Sequence, residues 1–206
     1  AVIATVLGTA ASLGIASMGR KSRLLVTNIT YITTVNPEII TGISLMMLFV
    51  AYQRFASELD FLPDNIMGFP TLLIAHITFN IPYVILSVGP KLRQMDKNLV
   101  DAAQDLGCTW MQAFWKVIIP EIKPGIVSGA LTAFTMSIDD FVISYFTAGS
   151  SSSTLAMTIY GMTKKKVTPE INAISTLLFV TVLVLLAVIN VREARQERKL
   201  AAEQRR

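Results

Sequence analysis

The stretch VDAAQDLGCTWMQAFWKVIIP, residues 100–120, is a polar interval between two strongly apolar blocks. Asp96 is placed to cap a helix that begins near Lys97, and Gly107 stands where a left-handed residue would end that helix. The pattern predicts an exposed helix over 98–106 that docks against another surface. One face of this helix is apolar and rich in small side chains: Leu99, Ala102, Ala103 and Leu106.

A second helix is predicted directly after the first. Thr109 and Gln112 are spaced as a capping box, in which each side chain bonds to the backbone N–H of the other residue. Pro120 has no N–H to donate, so it should interrupt or end this second helix. The interval therefore reads as two helices lying between two membrane spans.

The spacing of Asp101-Ala102-Ala103, Gly107 and Val117-Ile118-Ile119-Pro120 resembles the EAA loop of bacterial ABC importer permeases. The resemblance implies an all-α, polytopic membrane protein with the type I ABC importer permease fold. It also implies that the loop over 91–123 carries a coupling helix, which fits a groove on an ATP-hydrolysing subunit. Asp101 stands where the family usually has glutamate, and an ordinary amphipathic loop helix is the alternative. The coupling residues implied are Asp101, Ala102, Ala103, Leu106, Gly107 and Pro120.

The composition independently indicates a membrane protein. Of the 206 residues, 52% are hydrophobic and 16% are charged, whereas soluble domains carry about 25% charged residues. The apolar residues are also grouped in runs, and several runs reach the about 20 residues that a span requires. The single cysteine, Cys108, excludes an intrachain disulfide.

Five spans are predicted, and the second of them is broken at Asn36-Pro37-Glu38. They make a transmembrane permease domain over 1–191, followed by a charged cytoplasmic tail over 192–206. The chain begins at Ala1, and the resembling family usually has a sixth, preceding helix, so we expect that an N-terminal segment is missing. The predicted spans are 1–19, 24–52, 66–90, 125–148 and 171–191.

The distribution of positive charge predicts the orientation in the membrane. Fourteen of the 18 lysines and arginines fall on the side that holds the docking interval and the C-terminus. Positive charge accumulates on the cytoplasmic side, so both are expected in the cytoplasm of a bacterial inner-membrane protein. Lys164-Lys165-Lys166 falls on the outer side, either as a tolerated basic patch or as a contact for an acidic external partner.

Asp139 and Asp140 lie inside the fourth predicted span. A carboxylate near the bilayer centre costs about 2.5–3.5 kcal/mol, so the pair requires a cavity, a partner or protonation. Neighbours on a regular helix point about 100° apart, and a local unwinding would let both reach one cavity. Alternatively, Ser137 and Asp140 form a capping pattern at the start of a new helix.

Glu38 is a third carboxylate within an apolar segment, unless it lies at the outer membrane interface. Three separated acids indicate a pathway for a cation, and a linear polyamine, with amines separated by methylenes, would suit them. Aromatic side chains are candidate walls for such a pathway, although each is more often a packing residue. They are Tyr31, Tyr83, Tyr145, Phe146 and Tyr160.

Three further stretches, residues 36–40, 76–79 and 137–142, resemble the permease subunits of spermidine/putrescine importers, the second subunit in particular. This resemblance implies that Glu38, Ser137, Asp139 and Asp140 take part in polyamine passage. It also implies an ATP-driven complex with a homologous second permease, an extracytoplasmic polyamine-binding protein and a pair of ATP-binding subunits. ATP and Mg²⁺ would be held by that pair, with no cofactor in this chain.

Other functions find little support in the sequence. It contains no GxxxxGK[ST] phosphate loop and no GxSxG motif, so we expect a transport subunit without its own ATPase site. His76 is the only histidine, and no metal site is predicted. The intramembrane acids argue against anions such as sulfate or molybdate as the substrate. An importer for another solute such as ferric ion, and a membrane channel or enzyme without a nucleotide cycle, stay open. So do the preference between spermidine and putrescine and the choice of Asp139 or Asp140 as the pathway residue.

Overall fold

The computed structural model describes residues 1–57, 67–96, 98–164 and 169–203. These residues form helices joined by short turns and contain no strand. The helices are α1 Val2–Ser17, α2 Arg20–Val35, α3 Glu38–Ser57, α4 Phe69–Gln94, α5 Asn98–Asp105, α6 Trp110–Ala113, a π-helical turn Phe114–Ile118, α7 Ile119–Asp139, α8 Val142–Thr147, α9 Leu155–Thr163 and α10 Pro169–Glu203.

Four helical segments of the described residues are long and apolar enough to cross a membrane. They are Glu38–Ser57, Phe69–Gln94, Trp110–Asp139 and Asn172–Arg192, and α1 is a shorter apolar helix. The break predicted at Asn36-Pro37 is confirmed, because α2 and α3 are separate helices. Of the two parts of the span predicted over 24–52, α3 alone is long and apolar enough to cross a membrane.

The fourth span begins earlier than predicted. Residues Trp110–Asp139 form one continuous helical segment, so the boundary placed at residue 125 is wrong. Pro120 does not end the helix, and the turn before it is widened into the π-helical turn. Since Pro120 cannot donate to the carbonyl of Lys116, the regular α-helical ladder is interrupted there without the segment ending.

The contacts divide the chain into two compact units. The first comprises residues 1–37 and 76–134, and its buried core contains Val84, Val88, Ile122 and Ala133. Glycines allow helix backbones to approach closely here, as is common in membrane bundles. A Cβ on Gly8 would lie 2.6 Å from the Cβ of Val84, and one on Gly125 would lie 2.9 Å from the Ser87 carbonyl oxygen.

The second unit comprises residues 38–75 and 135–206. Helix α3 packs against α8 at Gly42, where a Cβ would lie 2.9 Å from Phe146 Cδ2. The first turn of α4 is attached to the end of α8, since Thr71 Oγ1 donates to the Thr147 carbonyl at 2.7 Å. This unit holds α8 between the start of α3 and the start of α4.

Helix α10 runs from Pro169 to Glu203 without a break at residue 192, so the predicted tail continues the last span as helix through residue 203. Several residues named from the sequence lie outside the described ones. They are Lys97, Lys165, Lys166 and the last two arginines, Arg205 and Arg206.

Candidate functional site

The predicted docking helix is present as α5, and both of its predicted ends are confirmed. Asp96 Oδ1 accepts a hydrogen bond from the backbone N–H of Asn98 at 3.0 Å. At the other end Gly107 has φ +84°, the left-handed conformation that glycine adopts without strain. The N–H of Gly107 donates to the Gln104 carbonyl at 2.8 Å, and that of Cys108 donates to the Ala103 carbonyl at 3.0 Å.

The apolar face of α5 is left open to solvent. Leu106, directly after the helix, is 87% exposed, and Leu99 is exposed as well. Asp101 and Ala102 are also exposed, while Ala103 is half-buried. Exposed apolar side chains of this kind are common at protein interaction sites.

The capping box that follows α5 is also confirmed. Thr109 Oγ1 accepts from the Gln112 N–H at 3.3 Å, and Gln112 Oε1 accepts from the Thr109 N–H at 3.0 Å. It fixes the direction in which the chain leaves α5 and enters the long Trp110–Asp139 segment. Pro120 lies in the first turn of α7 and is exposed.

The aspartate pair lies at a break between two helices of the second unit. Asp139 is the last residue of α7, and α8 begins only at Val142. Asp139 is exposed, whereas Asp140 is only 7% exposed. The predicted local unwinding is therefore present, and it separates the environments of the two carboxylates.

Asp140 is bound to the start of α8. Its Oδ1 accepts from the Ile143 N–H at 3.1 Å, and its Oδ2 accepts from the N–H and the hydroxyl of Ser144 at 2.8 and 2.7 Å. A carboxylate at a helix N-terminus satisfies backbone donors that would otherwise lack partners. Because of the break, the Asp140 carboxylate accepts hydrogen bonds from the backbone of α8. It is therefore not presented together with Asp139 to one cavity.

The alternative in which Ser137 caps a new helix is wrong. Ser137 lies inside α7 and is half-buried, and the capping group of α8 is the carboxylate of Asp140. The hydroxyl of Ser144, which the sequence places on the same face as Asp140, completes the set of donors.

Glu38 belongs to the same unit as the aspartate pair. It is the first residue of α3, and it is exposed. Its position follows from the packing of α3 on α8 at Gly42, one turn further along. We refer to Glu38, Asp139 and Asp140 as the acidic group, and all three belong to the second unit.

Aromatic rings adjoin the acidic group. The centroid of the Phe141 ring is 4.3 Å from that of Tyr160 and 5.6 Å from that of Tyr145. Tyr145 and Tyr160 were among the candidate walls, whereas Phe141 was missed, although its place beside two carboxylates was a usable signal. We refer to these three rings as the aromatic group. Tyr31 and Tyr83 belong to the first unit.

The described residues contain no group of three histidine, cysteine or carboxylate side chains placed to hold a metal ion. His76 lies within α4, where its backbone carbonyl accepts a hydrogen bond from Asn80 Nδ2 at 2.7 Å. The chemistry that the site offers is therefore that of carboxylates and aromatic faces, which attract organic cations.

Long apolar helices, an exposed amphipathic helix between two of them and an acidic group at a helix break define a multi-pass membrane protein. The chain belongs to the family of binding-protein-dependent transport system inner membrane components, whose model matches residues 4–201. The family resemblance seen in the 91–123 loop is thereby confirmed, and with it the all-α permease fold.

Two groups of relatives are similar to most of the chain. The putrescine transport system permease protein PotI of Escherichia coli strain K12 is 39% identical over 180 residues, which are 86% of this chain and 62% of that protein. The spermidine/putrescine transport system permease protein PotC of Haemophilus influenzae is 33% identical over 185 residues, 90% of this chain and 68% of that protein. The chain thus spans less than two thirds of the length of PotI.

Proposed function

We propose that this chain is a permease subunit of an ATP-driven polyamine importer and forms half of its translocation pathway. The acidic group carries the proposal, because Glu38 and Asp139 at the ends of two candidate spans, with Asp140 beside them in the same unit, offer a path to a multiply charged cation. The names of the PotI and PotC relatives support the same substrate class, spermidine and putrescine.

The two aspartates have different roles in this proposal. Asp139 and Glu38 are exposed in this chain, and an exposed carboxylate inside a bilayer is costly unless it faces a polar cavity. A homologous second permease would enclose that cavity, in which the two carboxylates offset the charge of a passing amine. Asp140 positions Asp139 by holding the start of α8, since its own carboxylate is occupied.

Helix α5 couples this chain to a pair of ATP-binding subunits, which hold ATP and Mg²⁺. Its exposed apolar face provides the contact. The hydrogen bond of Asp96 fixes its start and the left-handed Gly107 fixes its end, so the helix can transmit motion as a rigid element. The chain acts as a transport subunit and not as an ATPase. An extracytoplasmic polyamine-binding protein delivers the substrate, and α5 and the C-terminus lie in the cytoplasm of the bacterial inner membrane.

Uptake of labelled putrescine by the assembled importer in proteoliposomes tests the proposal. Asp139→Asn removes one negative charge from the pathway, and uptake should fall about tenfold, the equivalent of about 1.4 kcal/mol. Glu170→Gln, which removes the same charge at the start of α10, serves as the control and should transport normally. Full uptake by Asp139→Asn would contradict a role of Asp139 in the pathway.

The other candidate functions predict different results in the same preparation. An importer for ferric ion would show uptake of labelled iron that excess putrescine does not reduce. A channel without a nucleotide cycle would transport without ATP and would not copurify with an ATPase. Uptake that requires ATP and is reduced by unlabelled putrescine and spermidine supports the polyamine importer.

A further inference from the structure

A lysine of the chain itself lies over one ring of the aromatic group. The Nζ of Lys164 lies 4.9 Å from the centroid of the Tyr160 ring. This is within the distance of about 6 Å at which an ammonium group is attracted to an aromatic face. Lys164 caps the C-terminal end of α9, four residues after Tyr160, so the two side chains lie on the same face of that helix.

The Tyr160 ring, which lies beneath the Lys164 ammonium, also packs against a second aromatic ring. Tyr160 packs on Phe141, which lies in the break between α7 and α8, next to Asp140. Because the Asp140 carboxylate holds the start of α8, the position of Phe141 is fixed by the same contacts that separate the aspartates. The aromatic group and the acidic group are thus parts of one local structure within the second unit.

The Lys164 side chain is chemically similar to one end of the proposed substrate. A lysine side chain ends in a primary ammonium on a methylene chain, as does each end of putrescine. Tyr160 is still 44% exposed, so its ring is accessible to a cation from outside the chain. Lys164 is exposed as well, which allows its side chain to move into solvent without leaving a buried charge.

We propose that Tyr160 and Phe141 form a subsite for one primary ammonium of the substrate and that Lys164 is a tethered competitor for it. The inference rests on the proposed function and adds a residue that sets affinity at the same site. A substrate ammonium displaces the Lys164 side chain from the ring. The resident ammonium weakens binding, and weak binding favours release during transport.

Binding of labelled putrescine to the purified importer in nanodiscs, without the polyamine-binding protein, tests this directly. Lys164→Met removes the competitor and keeps the apolar stem, so putrescine should bind about two- to fivefold more tightly. Lys164→Arg keeps a cation at the ring and should bind as the unmodified importer does. Lys166→Met removes the same charge from the same run of lysines and controls for net charge.

The decisive comparison uses Tyr160. Without an aromatic ring the competition disappears, so Lys164→Met should give no gain in a Tyr160→Leu background. In a Tyr160→Phe background, which keeps the ring face, the gain should persist. An equal gain from Lys166→Met, or an undiminished gain in Tyr160→Leu, would show general charge repulsion and overturn the inference.

The outcomes separate this inference from the function on which it rests. Putrescine binding that Lys164→Met leaves unchanged or weakens contradicts the tethered competitor alone. Absence of putrescine and spermidine binding by the unmodified importer contradicts the polyamine function, and the subsite with it. Size-exclusion chromatography of each variant confirms that the assembled complex is the species measured.

Discussion

At the scale of single residues, the difference between Asp139 and Asp140 is the main result. Two identical side chains adjacent in sequence have opposite environments, because the helix ends between them. Asp140 accepts three hydrogen bonds and is buried, whereas Asp139 is exposed. One residue therefore builds the local structure, and the other leaves its carboxylate exposed.

This difference predicts opposite effects on stability and transport. Asp140→Ala removes the acceptor of buried donors and should lower the free energy of unfolding by about 1–3 kcal/mol. Asp139→Ala removes no hydrogen bond recorded in the structure and should leave stability nearly unchanged while lowering uptake. Thermal unfolding of the detergent-solubilised complex measures both variants. Equal destabilisation by the two substitutions would show that the assignment of roles is wrong.

The sequence predicts a cation pathway at these acids but not how they are arranged. That prediction rests on the presence of the acids within apolar runs. Which carboxylate turns onto the backbone depends on where α7 ends and on the Ser144 donors, and neither can be derived from the spacing of the residues. The ring contact of Phe141 with Tyr160 joins residues 19 positions apart, and periodicity cannot show it.

At the scale of secondary structure, capping residues were reliable guides. Asp96, Gly107, Thr109 and Gln112 gave the ends of α5 and the start of α6 correctly, because their hydrogen bonds are local. Prolines were less consistent: α2 and α3 separate at Asn36-Pro37, whereas α4 and α7 continue through Pro82, Pro90 and Pro124. Membrane helices tolerate proline because neighbouring helices and side chains satisfy the freed backbone groups.

The left-handed glycine after α5 leads to a prediction about coupling. At φ +84° a Cβ costs about 1–2 kcal/mol, so Gly107→Ala should fray the end of α5. ATP hydrolysis by the assembled complex should then continue with reduced putrescine uptake. Gly14→Ala is the control, because nothing lies within 4 Å of its added methyl group and its φ is not positive. If Gly107→Ala takes up the normal amount of putrescine per ATP hydrolysed, a rigid end of α5 is not required for coupling.

At the scale of the whole molecule, the chain divides its distinctive features between two units. Its second unit contains the acidic and aromatic groups, and its first unit contains the exposed helix α5. A carboxylate inside a bilayer needs a polar cavity or a partner, and large exposed apolar patches often mark interaction sites. Both features agree with the family of transport system inner membrane components to which the chain belongs.

The orientation of this subunit is the last prediction, and it depends on the distribution of lysine and arginine. If positive charge sets the topology, α5 lies in the cytoplasm and the turn after α8 lies outside. Cys108, the single cysteine, is first replaced by serine, and then Gln104→Cys and Ser150→Cys are made separately at exposed positions. A membrane-impermeant maleimide added to intact cells should label position 150 and not position 104. In inside-out vesicles the pattern should reverse, since each site then faces the opposite solution. Labelling of position 104 in intact cells would place α5 outside, where no ATP-binding subunit could reach it, and would overturn the proposed coupling.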